Sequence, residues 1–405
     1  MKILHVNKFF DLHGGAEIYL HDLMRAQKQA GHEVHALATL APQNLPSKDK
    51  KYFVKRHDLH EFKGCSQAAA IAAVNFVWNQ QAKQSMQRAL KELQPDVVHL
   101  HNIYHHLSTS ILGPIRQSGV RSVQTLHDLK LACPNYRMYT EGSICERCKG
   151  GKYFEAVKHH CLAESFWPNA LAAGEMAWTK LWQSYERAVQ VFICPSEFMQ
   201  NKMVEWGEPA SKFKVLRLPV EMRQPAHRGG GYVLAVGRLS TEKGYDLLIR
   251  AAARVSALDF KIAGRGPLQV ELQFLINKLG AKNVELVGFK RGLDLANLYR
   301  KAEAFVACPI GYENSPLTVL DALGYGLPVL ATRIGGLPEM VHEGKNGYLA
   351  ARGNQDDWVR ILKKFAALSL DDRKQLADAS HVLAEQKFSD WKKHVQLLDE
   401  IYRAR

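Results

Sequence analysis

The stretch 308–336, CPIGYENSPLTVLDALGYGLPVLATRIGG, sets two carboxylates around the start of a helix. Glu313 precedes that helix and Asp321 lies inside it. Ser315 has N-cap chemistry and Pro316 suits the first helical position, where a missing N–H costs nothing, so the helix is expected to begin between the two acids. The free amides of its first turn then face an anion, which makes Asn314, Ser315, Pro316 and Leu317 donor-binding candidates. From Ser315 to Asp321 the rise is about 9 Å. That distance lets the amides hold a phosphate while each acid grips a different hydroxyl-bearing group, which is the layout of a nucleotide sugar. An isolated E-x7-D pair is more often a loop acid and an exposed helix residue.

Outward from that stretch, short β-branched runs alternate with longer helical patterns, the sign of parallel sheets built from βαβ units. KILHVN, EVHALAT, DVVHLH, RSVQTLH, VQVFICP and FKVLRLP read as strands of a first half. YVLAVGR, FKIAGRG, VELVGF, AFVACP and PVLATR repeat the theme in a second. Between them PVEMRQPAHRGGG reads as a linker, which places a domain boundary near residue 225. Open α/β sheets bind ligands at the carboxyl ends of their strands, so a cleft between two such domains is the expected active site.

The chain has 405 residues, 46% of them hydrophobic, and a net charge of +14. No uncharged apolar run reaches membrane-spanning length and MKILHVNKFF enters a strand directly, so a cytoplasmic location is expected. Seven cysteines spread over such a length do not form a secreted disulfide framework. The positive field suits a nucleotide donor or an anionic lipid surface, or is a solvated surface with no dedicated partner. With no zinc-finger, KH, RRM or helix-turn-helix pattern, nucleic acid is not expected as a partner.

The acid pair, together with GLPVLATRIGGLPEMVHEGKNGYL after it, resembles the retaining glycosyltransferases of family 4, the glycosyl transferase group 1 proteins. The resemblance implies an α/β GT-B architecture, two Rossmann-like doubly wound parallel-sheet domains facing across a cleft. It divides the chain into an acceptor domain (1–225, with a cysteine-containing insertion near 130–165), a nucleotide-sugar donor domain (226–385) and a last helix (386–405) that crosses back to the first domain. It makes Glu313 the contact to donor sugar hydroxyls and Asp321, one methylene shorter than the family's usual Glu, the contact to the ribose.

Arg238 and Lys243 fall in VGRLSTEKGYDLLIRAA, where Lys243 precedes a helix N-terminus expected near Gly244 or Tyr245. A cation there opposes the helix dipole unless an anion is bound. A diphosphate clamp explains it, the role the resemblance also gives, and makes a divalent metal unnecessary for catalysis. The family likewise puts Gly14 and Gly15 of GGAE against the donor, at a helix that Gly31 closes, and Gly264, Arg265 and Gly266 of GRGP along the nucleotide. It makes His127 a contact to the sugar or the transition state. Asp128 then orients His127 or faces the acceptor, and His101 and Asn102 are further acceptor-side candidates. Without the resemblance, these strand-end residues would be read as helix caps.

Cys133, Cys145, Cys148 and Cys161 contain one C-x2-C and can make a structural zinc site, a local disulfide pair or plain thiols. Three tryptophans over a helical pattern, in ESFWPNALAAGEMAWTKLWQSYERAVQ, are either core packing or an interfacial helix. The reading is a metal-independent, retaining hexosyltransferase-type enzyme using a UDP-sugar, or next a GDP-sugar. Its acceptor is a glycan or lipid-linked chain in bacterial cell-surface polysaccharide synthesis, reached from the cytoplasm or as a peripheral protein on the inner face of the membrane. The rivals are a GT-B nucleotide-sugar epimerase and a catalytically inactive GT-B scaffold.

Overall fold

The computed structural model describes residues 1–12, 14–56, 67–224, 231–388 and 390–404. The boundary expected at residue 225 lies outside them. The chain divides into two compact units: Met1–Glu141 with Cys145–Leu216 and Lys392–Arg405, and Gly142–Ile144 with Arg217–Trp391.

The first unit holds a parallel sheet of β1 (Lys2–Val6), β2 (Glu33–Leu37), β3 (Val97–Leu100), β4 (Arg121–Thr125), β5 (Val191–Cys194) and β6 (Phe213–Val215). Their order is β6-β5-β4-β3-β1-β2, so the winding reverses between β1 and β3. Most of these strand residues are buried on both faces, the polar Ser122, Gln124 and Thr125 of β4 included. Among the helices of this unit are α1 (Gly15–Gln29), α2 (Gln67–Val77), α3 (Phe166–Leu181) and the last helix of the chain, Trp391–Arg403. Ala30 caps α1 and Gly31 follows it in the left-handed region, with φ +87°.

The second unit repeats the theme with β7 (Tyr232–Val236), β8 (Phe260–Ala263), β9 (Val284–Gly288), β10 (Ala302–Ala307), β11 (Val329–Thr332) and β12 (Gly347–Ala350). Their order, β9-β8-β7-β10-β11-β12, reverses between β7 and β10. That is the doubly wound order, whose reversal point is the usual ligand crevice. The edge strand β12 was not expected, because four residues directly after the turn EGKN carry no alternation to distinguish them from loop. Helices α4 (Tyr245–Ala252) and α5 (Leu317–Gly324) follow β7 and β10. Leu248, Ile249, Phe260, Ile262, Trp358 and Phe365 are among the residues of its core.

Helix α5 begins one residue later than its sequence suggests. Pro316 occupies the N-cap position and no side chain caps the helix, so Ser315 is not its cap. Pro316 has ψ +121°, so its backbone is still extended there and the helix starts at Leu317.

The three tryptophans face outward. Trp167, Trp178 and Trp182 are 67%, 47% and 51% exposed, while Asn169, Glu175 and Thr179 of α3 point inward. Core packing is thus overturned as their explanation: the inward face is made by Ala172, Ala173 and Met176, with Glu175 paired to Lys130 and Asn169 to loop backbone.

Candidate functional site

In the second unit, Lys243 leaves the loop after β7 and Glu313 the loop after β10, the two strands that flank the reversal. Lys243 Nζ donates to Glu313 Oε1 in a direct ion pair. Burial works against the lysine's charge, but the Glu313 carboxylate outweighs it and holds the Lys243 pKa above its ordinary value. The anion that a cation beside the helix N-terminus requires is therefore already supplied, by Glu313. Bound phosphate is not needed to explain Lys243.

Backbone contacts fix this pair. Ile310 N–H and Gly311 N–H donate to the Glu242 carbonyl at 2.8 and 3.1 Å, tying the two loops together. The turn after β11 supports Glu313: Gly336 N–H donates to its carbonyl at 2.8 Å, and Gly335 has φ +59°. A Cβ at Gly335 would stand 2.0 Å from that same carbonyl oxygen. Thus three βα loops meet at Glu313, and Asp321 lies half-buried on α5, beyond Asn314, Ser315, Pro316 and Leu317.

Arg238 is exposed in the loop before Lys243 and makes no ion pair among the described residues. The GRGP turn packs backbone to backbone on that loop. A Cβ at Gly264 would stand 1.8 Å from the Gly237 carbonyl oxygen, and one at Gly266 2.2 Å from that of Leu239. These glycines thus have a packing reason to be glycine. Arg265 is exposed over the Phe289 ring, 4.7 Å from its centroid.

In the first unit, Asn102, Tyr104, His127, Asp128, Lys130 and Tyr185 line one cavity beyond the carboxyl ends of β3 and β4. Asp128 accepts from the Tyr104 hydroxyl and, at 3.1 Å, from the Lys130 amide. Burial raises the Asp128 pKa, with Lys8 opposing. Burial pushes the Lys8 ammonium down to about 8. Its Nζ stands 3.7 Å from the Tyr104 ring centroid. Beneath them the buried Lys130 Nζ reaches Glu175 Oε2 at 2.6 Å. Burial favours a neutral Glu175, but Lys130 and His105 overcome it and hold the carboxyl at about 2.

Gly14 and Gly15 open α1 in this unit. A Cβ at Gly14 would lie 3.2 Å from Glu17 Oε2, so the missing side chain makes room for that buried carboxylate, which Asn7 Nδ2 approaches at 3.2 Å. The structure does not bring His101 to the cavity surface: it is fully buried, and both ring nitrogens are engaged, by His5 and His127. It has no atom to offer an acceptor.

Lys8, Tyr104, Lys130 and Glu175 were missed in sequence. Lys8 carried a usable signal, two residues beyond β1 at the end where such sheets bind ligands. Glu175 carried none, since its partner is 45 residues away.

Cys133, Cys145, Cys148 and Cys161 are free thiols. Among the described residues no three of their sulfurs lie within 4.8 Å of one another, so they do not form the closed shell of a structural zinc.

The family model for Glycosyltransferase Family 4 matches residues 13–224, and that for Glycosyl transferases group 1 matches residues 221–381. The chain is 25% identical over 228 residues to a putative colanic acid biosynthesis glycosyltransferase, WcaL, of Salmonella typhimurium, a match covering 52% of this chain and 56% of that one. It is 27% identical over 188 residues to the amylovoran biosynthesis glycosyltransferase AmsK of Erwinia amylovora, covering 42% and 46%. The chain spans about half the length of the curated relatives it matches. Sucrose-phosphate synthase from Thermosynechococcus elongatus superimposes with a TM-score of 0.74 at 16% identity, covering 100% of this chain and 98% of that one. Anabaena HepE, in complex with UDP and glucose, superimposes with a TM-score of 0.70 at 16% identity, covering 99% of each. Both likenesses establish the GT-B fold.

Proposed function

The chain belongs to glycosyltransferase family 4, and on that premise we propose that it moves a sugar from a nucleotide-diphosphate donor to a hydroxyl of a glycan or lipid-linked acceptor. The observation that carries this reading is the Lys243–Glu313 pair at the reversal of strand order, with exposed Arg238 beside it. A donor entering there exchanges one pairing for two. Its diphosphate takes Lys243 and Arg238, its sugar hydroxyls take Glu313, and neither partly buried charge is left without a partner. Asp321, deeper along α5, takes the ribose, and the GRGP turn lines the nucleotide.

UDP-sugars are the favoured donors, because a protein of this fold was crystallised with UDP and glucose, and GDP-sugars come next. The relatives named for colanic acid and amylovoran synthesis support a cell-surface polysaccharide acceptor. Transfer proceeds with retention, on the donor's front face. As the anomeric C–O bond breaks, its electron pair goes to the leaving phosphate oxygen, which takes the proton of the acceptor hydroxyl while that hydroxyl's oxygen bonds to the anomeric carbon on the same face. Lys243, Arg238 and the first amides of α5 stabilise the charge that develops, the largest kind of contribution in such sites. This chemistry uses no divalent metal. In the first unit, His127 contacts sugar hydroxyls and the cavity around Asp128 and Asn102 takes the acceptor.

The outward tryptophans of α3, with Phe166 and Leu181 beside them and a net charge of +14, support peripheral contact with an anionic membrane. No helix among the described residues is long and apolar enough to cross one. The transferase reading is tested by incubating the protein with UDP-glucose, UDP-galactose or GDP-mannose and membrane glycolipid, then assigning the new linkage by NMR. A product with the donor's anomeric configuration supports it. Conversion of the donor sugar without any acceptor would instead identify an epimerase.

A further inference from the structure

Four histidines share one face of the first sheet. His5 lies in β1 and pairs in register with His99 of β3; His101 follows at the next same-face position, and His127 stands two residues beyond β4. Their rings stack, with centroids 4.5 Å apart for His99 and His101 and 5.3 Å apart for His101 and His127. A hydrogen-bonded chain runs through three of them to the cavity. Gln27 Oε1 meets His5 Nε2 at 2.6 Å, His5 Nδ1 meets His101 Nε2 at 3.1 Å, and His101 Nδ1 meets His127 Nε2 at 3.0 Å.

Burial keeps these rings neutral. It lowers His5 to about 4 and His127 to about 3, and holds His101 well below the usual imidazole range. A neutral imidazole has one donor and one acceptor, so each ring passes its polarity to the next. The Gln27 carbonyl can only accept. His5 must then donate from Nε2 and accept at Nδ1, His101 must do the same, and His127 must donate from Nε2. The Gln27 amide is oriented in turn by the final helix of the chain. Its Nε2 donates to the Tyr402 hydroxyl at 3.1 Å, and that hydroxyl meets His99 Nδ1 at 2.7 Å. Inverting Gln27 would invert every proton in the chain.

We propose that Gln27, His5 and His101 are positioning residues that hold His127 neutral with its proton on Nε2. The nitrogen left for a ligand is then a bare Nδ1. It accepts from a sugar hydroxyl and has no proton to offer a phosphate or carboxylate. The sugar ligand rests on the transferase reading above; the protonation pattern does not.

The test is a long-range 15N–1H spectrum of the full-length protein labelled at histidine, assigned by single substitutions. His5, His101 and His127 should each show a protonated Nε2 and a bare Nδ1, unchanged between pH 8 and pH 5. A proton on His127 Nδ1, or an imidazolium by pH 5, would overturn the proposal. Gln27→Leu removes the terminal acceptor and should mix the His127 tautomers. It should also lower kcat for sugar transfer about ten- to a hundredfold while UDP alone, which lacks the transferred sugar, binds as before. Gln27→Glu keeps the acceptor toward His5 and should restore both readouts. A Gln27→Leu protein with the wild-type His127 spectrum would refute the relay. If Gln27→Leu does not fold, the wild-type and Gln27→Glu spectra still decide. A wild-type protein with the expected spectrum but no transfer would refute the transferase reading and leave the relay standing.

Discussion

Gly335→Ala is expected to disable the donor site from outside it. The new methyl would start 2.0 Å from the Glu313 carbonyl oxygen, 2.9 Å from the Glu313 nitrogen and 3.0 Å from its carbonyl carbon. Ordinary contact begins near 3.4 Å, so the Glu313 backbone must retreat by about 1.4 Å or the turn must open. Either movement strains the Gly336-to-Glu313 hydrogen bond and pulls the carboxylate away from Lys243. A misplacement of about 1 Å costs on the order of a hundredfold in rate. The left-handed backbone adds about 1–2 kcal/mol of instability for an L-residue, which lowers Tm by roughly 2–8 °C in a domain of this size. Gly353→Ala separates the two effects, because Gly353 also has a positive φ (+68°) but no atom within 4 Å of where its new methyl would stand. Both variants should melt earlier. Gly335→Ala alone should lose sugar transfer, by about a hundredfold, measured as UDP release with UDP-sugar and glycolipid. Equal transfer by the two variants would refute the argument that this turn positions Glu313.

Lys243→Ala and Glu313→Ala should each abolish transfer while circular dichroism stays native; an active, folded double variant would sink the site assignment. Lys130→Met removes the ion-pair partner of the buried Glu175 charge, leaving His105 beside it, and should destabilise the first unit by about 3–5 kcal/mol in urea unfolding, whereas a change below about 1 kcal/mol would show that the pair is dispensable. Acid should weaken this unit. His5 is held to about 4 when folded, so the unfolded chain binds more protons below its ordinary value of about 6.5. Its contribution is complete above that value, falls by about 2 kcal/mol at pH 5 and is gone below pH 4. A urea midpoint unchanged between pH 7.5 and pH 5 would contradict that sign. EDTA should leave transfer largely intact, and loss restored by magnesium would count against the cationic clamp.

Strands carried the fold because burial on both faces leaves short apolar runs such as VFIC and VLAT that can be read locally. All the expected strands of both sheets are present, and β12 escaped notice because its GYLA follows a turn without alternation. Lys243 and Glu313 could be selected from motif spacing. Their direct pairing could not, because it depends on how the loops after β7 and β10 meet. The histidines show the same limit in finer detail. H-x-H in DVVHLHN announces two side chains on one face, yet whether that face meets solvent or Gln27 and Tyr402 is decided by helices tens to hundreds of residues away. The tryptophan helix was ambiguous for a related reason. Periodicity marks a stripe, and the burial of Ala172, Glu175, Met176 and Thr179 shows which side of α3 is core.

The central claim is that Lys243 and Glu313 form a donor site at the reversal of the second sheet. Isothermal titration of UDP, GDP and their sugar conjugates into the wild-type protein and Lys243→Ala tests it most directly. Saturable micromolar binding of one nucleotide, reduced at least tenfold by the substitution, is the expected result. A folded protein that binds none of them, or binds one equally well without Lys243, would contradict it.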